Sequence, residues 1–414
     1  MSNVTVDVVP HGLCIGCGTC VAICPKNALI IEVNKERGLY EPVLIDDKCT
    51  DCGICLRVCP GMGFGDRHAE HINYYIGYSN DQDIRYNCSS GGLITQLLIF
   101  ALQQKIIDGA LVTRMKKDSP LEPESFIART REEILEASKS KYCPVPANVA
   151  LKDIINSKEG EKFAIVGLPC HIAGARNAEE IDKELKEKVV FHLGLVCNHT
   201  PTFHATEFII NKYDMYSDEI DDIKYRGGGW PGGMRITSKQ GECIYLSQFH
   251  PDYWGAVFNT FFVPKRCGLC DDKECRNSDA AFADAWIPEI MSKDRIGSSI
   301  IVSRATMITD LLNKAEIENV ITLREVHGDT FSRSQSLLQV KRRAYARINL
   351  LSTFGRKTPF WNSNAPRCTC LDYVTALMFI LRNYYLSKPS FYSIIRMYSS
   401  LYNKASQFKR GYIK

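Results

Sequence analysis

Cys14-Ile15-Gly16-Cys17-Gly18-Thr19-Cys20-Val21-Ala22-Ile23-Cys24-Pro25 is repeated as Cys49-Thr50-Asp51-Cys52-Gly53-Ile54-Cys55-Leu56-Arg57-Val58-Cys59-Pro60, every cysteine and the closing proline displaced by 35 positions. Thiolate sulfur is a soft donor suited to iron, and three cysteines at this spacing can wrap one face of a cubane. Gly16, Gly18 and Gly53 permit tight turns that bring backbone N–H groups toward sulfur. Structural zinc sites lack a doubled eight-cysteine pattern, so iron is the better reading.

The spacing is that of bacterial two-cluster ferredoxins, in which the fourth cysteine of each run serves the other cluster. It assigns Cys14, Cys17, Cys20 and Cys59 to one [4Fe–4S] cluster and Cys49, Cys52, Cys55 and Cys24 to a second. Leu29-Ile30-Ile31-Glu32-Val33 reads as a short strand between the loops, and an electron-carrying α+β module is expected over residues 1–67. Residues 1–12 show no basic stretch followed by an apolar one. The expected setting is therefore cytoplasmic and reducing, where clustered cysteines act as metal ligands.

The 414-residue chain is 45% hydrophobic and 24% charged, which fits a globular protein of about two or three domains rather than coiled coil or disorder. Its net charge of +4 is unevenly placed: residues 331–414 hold 15 Lys/Arg against one acid, Asp372, and the rest holds 36 against 46. No uncharged apolar run is long enough to span a membrane.

The middle of the chain, residues 68–330, alternates strand-like and helix-like segments. Asp108-Gly109-Ala110-Leu111-Val112-Thr113 and Phe163-Ala164-Ile165-Val166-Gly167 read as buried strands, with a helix near 148–157 between them, which suggests an α/β domain. At Asn87-Cys88-Ser89-Ser90-Gly91-Gly92, serines and glycines lead straight into an apolar helix. Such a start favours an anionic ligand, and an ordinary Ser/Gly cap explains it equally well. Cys170, Cys197, Cys267 and Cys270 stand at turn-like places and make a candidate third cluster, with Cys275 as a rival ligand and a zinc knuckle or inert thiols as the alternatives. The Arg226-Gly227-Gly228-Gly229-Trp230 loop is either a ligand loop or a glycine-rich turn. No dinucleotide fingerprint or P-loop is present.

Taken in order, Cys88 to Gly92, Lys139-Ser140-Lys141-Tyr142, Gly167-Leu168-Pro169-Cys170-His171, Gly194-Leu195-Val196-Cys197, Arg226 to Gly232, Cys267-x2-Cys270, Ala283-Asp284 and Gly297 to Arg304 resemble the coenzyme F420 hydrogenase/dehydrogenase beta subunit family. The resemblance spans roughly residues 14–330. It implies a flavin and iron–sulfur domain that passes electrons between a reduced carrier (coenzyme F420H2 or ferredoxin) and an organic acceptor or partner protein. It also implies FAD near Ser89, Ser90, Gly91, Gly92, Lys141, Tyr142, Arg226, Gly229 and Trp230, and a cluster on Cys170, Cys197, Cys267 and Cys270 beside it. Lys141 and Arg226 are candidates for holding negative charge, and His171 for donating a proton. Where the family often has Ala-Asp-Ile then Gly, this chain has Ala283-Asp284-Ala285-Trp286-Ile287-Pro288-Glu289, so the substrate side is expected to differ. The rival reading is a non-catalytic electron-wiring subunit of a larger redox complex.

Residues 331–414 interleave basic groups (Lys341-Arg342-Arg343, Arg347, Arg356-Lys357, Lys409-Arg410) with aromatic ones, Trp361 among them. The 371–385 stretch has helical apolar spacing, and a basic helical extension is expected. It is suited to packing on the body or a partner, to lying on an anionic membrane, or, least, to nucleic acid, which an acidic body would repel. Cys368 and Cys370 read as ordinary thiols.

Overall fold

The computed structural model describes residues 2–66, 69, 71–360 and 365–411. Arg67 and His68, flanking the expected first boundary, and Trp361 lie outside the described residues. So do the side chains of Lys409 and Arg410.

Between the two cysteine runs, β1 (Leu29–Asn34) and β2 (Leu39–Leu44) form an antiparallel hairpin. Each run contains a one-turn helix, Thr19–Ala22 and Ile54–Arg57, so the 35-residue repeat holds in three dimensions. Each turn starts from a left-handed glycine, Gly18 (φ 83°) or Gly53 (φ 72°). At Gly18 the requirement is double, since a Cβ would stand 2.6 Å from the Val149 side chain.

Five more strands, β3 (Asn73–Ser79), β4 (Gly109–Met115), β5 (Pro123–Ala128), β6 (Phe163–Gly167) and β7 (Val189–Leu195), precede a separate three-stranded antiparallel sheet of β8 (Ile220–Lys224), β9 (Gly233–Ser238) and β10 (Cys243–Ser247). With β11 (Ala280–Asp284), β12 (Ser299–Ser303) and β13 (Ile321–Glu325), they complete an eight-stranded sheet of order β13-β3-β12-β11-β7-β6-β4-β5. Its centre, β4-β6-β7-β11, is parallel, and its flanks are antiparallel. The α/β expectation thus takes the form of a mixed sheet.

Alternation along the central strands sorts side chains to two faces. Ala164 and Ile301 pack beneath the helices Leu93–Gln103 and Thr306–Ile317, while Phe163, Ile165, Ile300 and Val302 pack beneath Leu151–Ile155 and Pro169–Glu179. The expected helix near 148–157 is a tight 3-10 turn, Ala147–Ala150, running into Leu151–Ile155. With both faces covered, the C-terminal ends of β6, β7 and β11 come together at one end of the sheet, the usual ligand position in such sheets.

Beyond residue 328 come the helices Gly328–Ser334, Leu337–Thr353, Cys370–Leu381 and Tyr392–Gly411. They do not stand apart from the body. Phe331 is in the sheet's core, Leu351 packs with Val8 and Leu13 beside the cysteine loops, and Ile395 packs against the small sheet's cluster. Among the described residues, no helix is long and apolar enough to cross a membrane.

Candidate functional site

The cysteines fall into three sets. Cys14, Cys17, Cys20 and Cys59 line one small cavity, and Cys24, Cys49, Cys52 and Cys55 line another, the same exchange of fourth ligands that the spacing predicts. Backbone N–H groups of Gly16, Ala28 and Gly61 donate to the sulfurs of Cys14, Cys24 and Cys59 at 3.4, 3.3 and 3.4 Å. Burial pushes the Cys59 thiol up to about 12, with the neighbouring Cys17 sulfur adding to the rise, and burial and sulfur neighbours act likewise on Cys20. Four crowded, buried sulfurs ionise together only around strong positive charge.

The third set assembles at the C-terminal ends of β6 and β7. Cys170 opens the helix after β6, Cys197 lies two residues past β7, and Cys267 and Cys270 lie in and just after the short helix Lys265–Gly268. Burial raises the Cys170 thiol, and the charges of Cys267, Cys197, Cys17 and Cys270 add to the rise. Cys197 is likewise opposed by Cys267 and Cys270. Cys275 is fully buried, its sulfur standing 2.5 Å from where a Cβ on Gly194 of β7 would lie, and its charge also adds to the rise at Cys197. Among the described residues, no three His, Cys, Asp or Glu side chains converge as a single ion requires. A cubane spreads its thiolates more widely than a single zinc ion does.

Two residues with no motif signal tie the sets together. Arg266 is buried and donates to the carbonyls of Gly61 (2.8 Å) and Pro60 (3.0 Å), and its charge opposes the rise at both Cys59 and Cys270. Asn148 donates from its backbone to the Cys17 carbonyl and from its side chain to Thr19 and to the His171 carbonyl.

Beside the third set, a cavity of about 470 Å³ opens where β6, β7 and β11 end, within the usual range for organic ligands. Cys197 is in its wall. Ser89, Ser90, Gly92, Lys141, Tyr142 and Arg226 line it as expected, whereas Gly91, Gly229 and Trp230 stand behind the wall. The helix Leu93–Gln103 points its start at the cavity with no side chain capping it, which suits phosphate. Gln248 Oε1 and Arg226 Nε are buried and have no hydrogen-bond partner among the described residues, though both residues line the cavity. Such atoms call for a polar ligand, and a flavin nucleotide offers both hydrogen-bonding edges and phosphates.

The three expected catalytic residues are placed differently from one another. Arg226, 1% exposed, is held by both Asp284 oxygens (3.1 and 3.2 Å) and donates to Tyr142 at 3.0 Å. Lys141 gives its ammonium to the carbonyls of Ala137, Ser138 and Lys139, and burial lowers it to about 7. His171 is not brought to the cavity: its Nδ1 accepts from the Leu168 N–H at 3.4 Å and burial lowers it to about 4, leaving it neutral. Trp230 likewise packs at a tilt on Trp286 (4.8 Å between centroids, 35° between planes), and its indole N–H donates to Asp284 at 2.7 Å. Gln248, Trp254, Lys273 and Gln335, all in the wall, went unread because no local pattern marks them.

Residues 13–61 match the 4Fe-4S dicluster domain, so this segment is a [4Fe–4S]-binding module. A coenzyme F420-dependent sulfite reductase of Methanocaldococcus jannaschii is 25% identical over 77% of this chain, which spans about half (48%) of that relative's length. A coenzyme F420 hydrogenase subunit beta of Methanothermobacter thermautotrophicus is 29% identical over 68% of this chain and 95% of its own. A chain of the F420-reducing [NiFe] hydrogenase complex of Methanosarcina barkeri shares the fold, with a TM-score of 0.55 at 19% identity, covering 73% of this chain and 97% of that one. Residues 74–152 and 160–329, together more than half of the sequence, match the N-terminal and C-terminal models of one family, and the chain therefore belongs to the coenzyme F420 hydrogenase/dehydrogenase beta subunit family.

Proposed function

We propose that this protein is an iron–sulfur flavoprotein oxidoreductase that moves electrons between a reduced carrier and an organic acceptor or partner protein, through three [4Fe–4S] clusters and one FAD. The observation that carries the reading is the contiguity of the cysteine sets with the cavity. Asn148 donates to the carbonyls of both Cys17 and His171, the residue after Cys170, which joins the first loop to the third set, and Cys197 of the third set is in the cavity wall. Relatives named for coenzyme F420 make its reduced form the first donor to try, with ferredoxin the second.

A flavin bound in the cavity would supply the exchange between hydride and single electrons. The chain's own groups set the conditions. The uncapped start of Leu93–Gln103 would hold the phosphates, Gln248 and Arg226 would take the polar edge of a ring, and the Asp284 pairing fixes the guanidinium in place. Arg266 steadies thiolate charge on two sets at once. Lys273, which donates to the Gln335 carbonyl at 2.6 Å, places a cation beside Cys197. With His171 neutral and outside the cavity wall, Lys141, which lines the cavity and is lowered to about 7, is the better-placed proton carrier.

The test is anaerobic purification followed by iron, sulfide, zinc and flavin analysis, with spectra before and after adding reduced F420. About twelve iron atoms and one FAD per chain, bleached by the donor, is the expected result. About eight iron atoms without flavin would overturn it in favour of an electron-wiring subunit.

A further inference from the structure

The helix Cys370–Leu381 is built inside out. Leu371, Val374, Met378 and Leu381 recur at helical spacing with Tyr385 continuing the line, and all five are exposed, Leu371 at 71% and Tyr385 at 62%. The helix's opposite side carries Ala376 and the polar Asp372, which are buried. The terminal helix Tyr392–Gly411 repeats the arrangement with Ile394, Met397 and Leu401 outward and Ile395 and Ser399 inward. An apolar stripe facing water needs an occupant.

Charge selects which one. The segment 331–414 holds 15 Lys/Arg and a single acid, and that acid, Asp372, is already engaged by Arg342 at 2.7 Å and by the Thr369 N–H. Arg343, Arg356, Arg367 and Lys404 are exposed. The rest of the chain carries an excess of ten acidic groups, from 36 basic against 46 acidic residues. The positive charge is therefore concentrated in the segment that carries the stripe, and a negative surface attracts that segment. Apolar side chains with tyrosine, among basic residues, on helices that cannot span a bilayer, form the pattern of an interfacial helix.

We propose that the Cys370–Leu381 stripe, together with the exposed basic groups of the tail, docks this protein onto an anionic bilayer surface. The test is co-flotation of the full chain, clusters intact, with phosphatidylcholine vesicles with or without about one-third phosphatidylglycerol. Binding to the anionic vesicles should exceed that to neutral ones at least tenfold and fall in high salt. V374E/M378E should reduce it at least tenfold, and R343E/R367E should abolish the anionic preference, both with unchanged iron content. Equal or absent binding to the two vesicle types overturns the proposal. So does a V374E/M378E protein that binds vesicles normally but loses an oligomeric state seen by light scattering, since the stripe is then a protein interface.

Discussion

Asp284 is the residue on which the cavity wall turns. It accepts two hydrogen bonds from Arg226 and one from the Trp230 indole, and so gathers the glycine-rich loop onto the end of β11. Removing its charge leaves a guanidinium buried without a counter-ion. Asp284→Asn is expected to lower unfolding stability by about 3 kcal/mol and to reduce flavin retained after gel filtration; a thermal midpoint within a degree of wild type would show the pair to be dispensable. Lys141 yields a pH prediction. Burial holds it near about 7 in the folded chain against 10.5 when free, so between those values the unfolded chain carries the extra proton and stability rises with pH. Comparing thermal midpoints from pH 7 to 9.5, wild type should gain on Lys141→Met as pH rises. A constant difference would mean that Lys141 does not titrate in that window.

At the scale of elements, the third cysteine set depends on two parallel strands ending together. Gly167 of β6 lies opposite Gly194 of β7, so Cys170 and Cys197 leave adjacent strands at one edge. Cys197→Ala is predicted to lose about four of about twelve iron atoms while the N-terminal clusters stay, and Cys275→Ala to lose none; iron analysis of both variants decides whether the buried rival is a ligand. Gly174 makes the helix after Cys170 fit the first loop, since a Cβ there would stand 2.3 Å from Thr19 Oγ1. The N-terminal cysteine arrangement was legible because its information is local: spacing alone sets which sulfurs can reach one cubane face. The strands β4 and β6 were legible as apolar runs, although their neighbours were not, because sheet order is a long-range property. Gln248, Trp254 and Lys273 could not be read at all. They reach the wall from a long connection with no periodicity, and only tertiary packing makes them neighbours. His171 shows the converse, a residue inside a telling motif whose side chain the helix Pro169–Glu179 turns inward.

For the whole molecule, the basic segment has two tasks that pull on the same residues. Its outward faces are free for the bilayer proposed above, while its inward faces close the body. Asn383 accepts from the Val263 N–H and Ser387 from the Phe262 N–H at 2.8 and 2.9 Å, Lys357 donates to the Asp7 carbonyl, and Gln335 donates to the Asp284 carbonyl behind the cavity. These contacts reach the cysteine loops, the small sheet and the cavity wall. A chain ending at residue 330 would expose the apolar positions that Phe331, Leu351 and Ile395 cover, and would leave buried backbone N–H groups without acceptors. It is therefore predicted to aggregate or to purify without its iron, whereas a chain ending at residue 404 should keep full iron content and a sharp thermal transition. If the 1–330 protein instead retains all its iron and unfolds cooperatively, the tail is an appendage, and the body is independent of the segment that carries the positive charge.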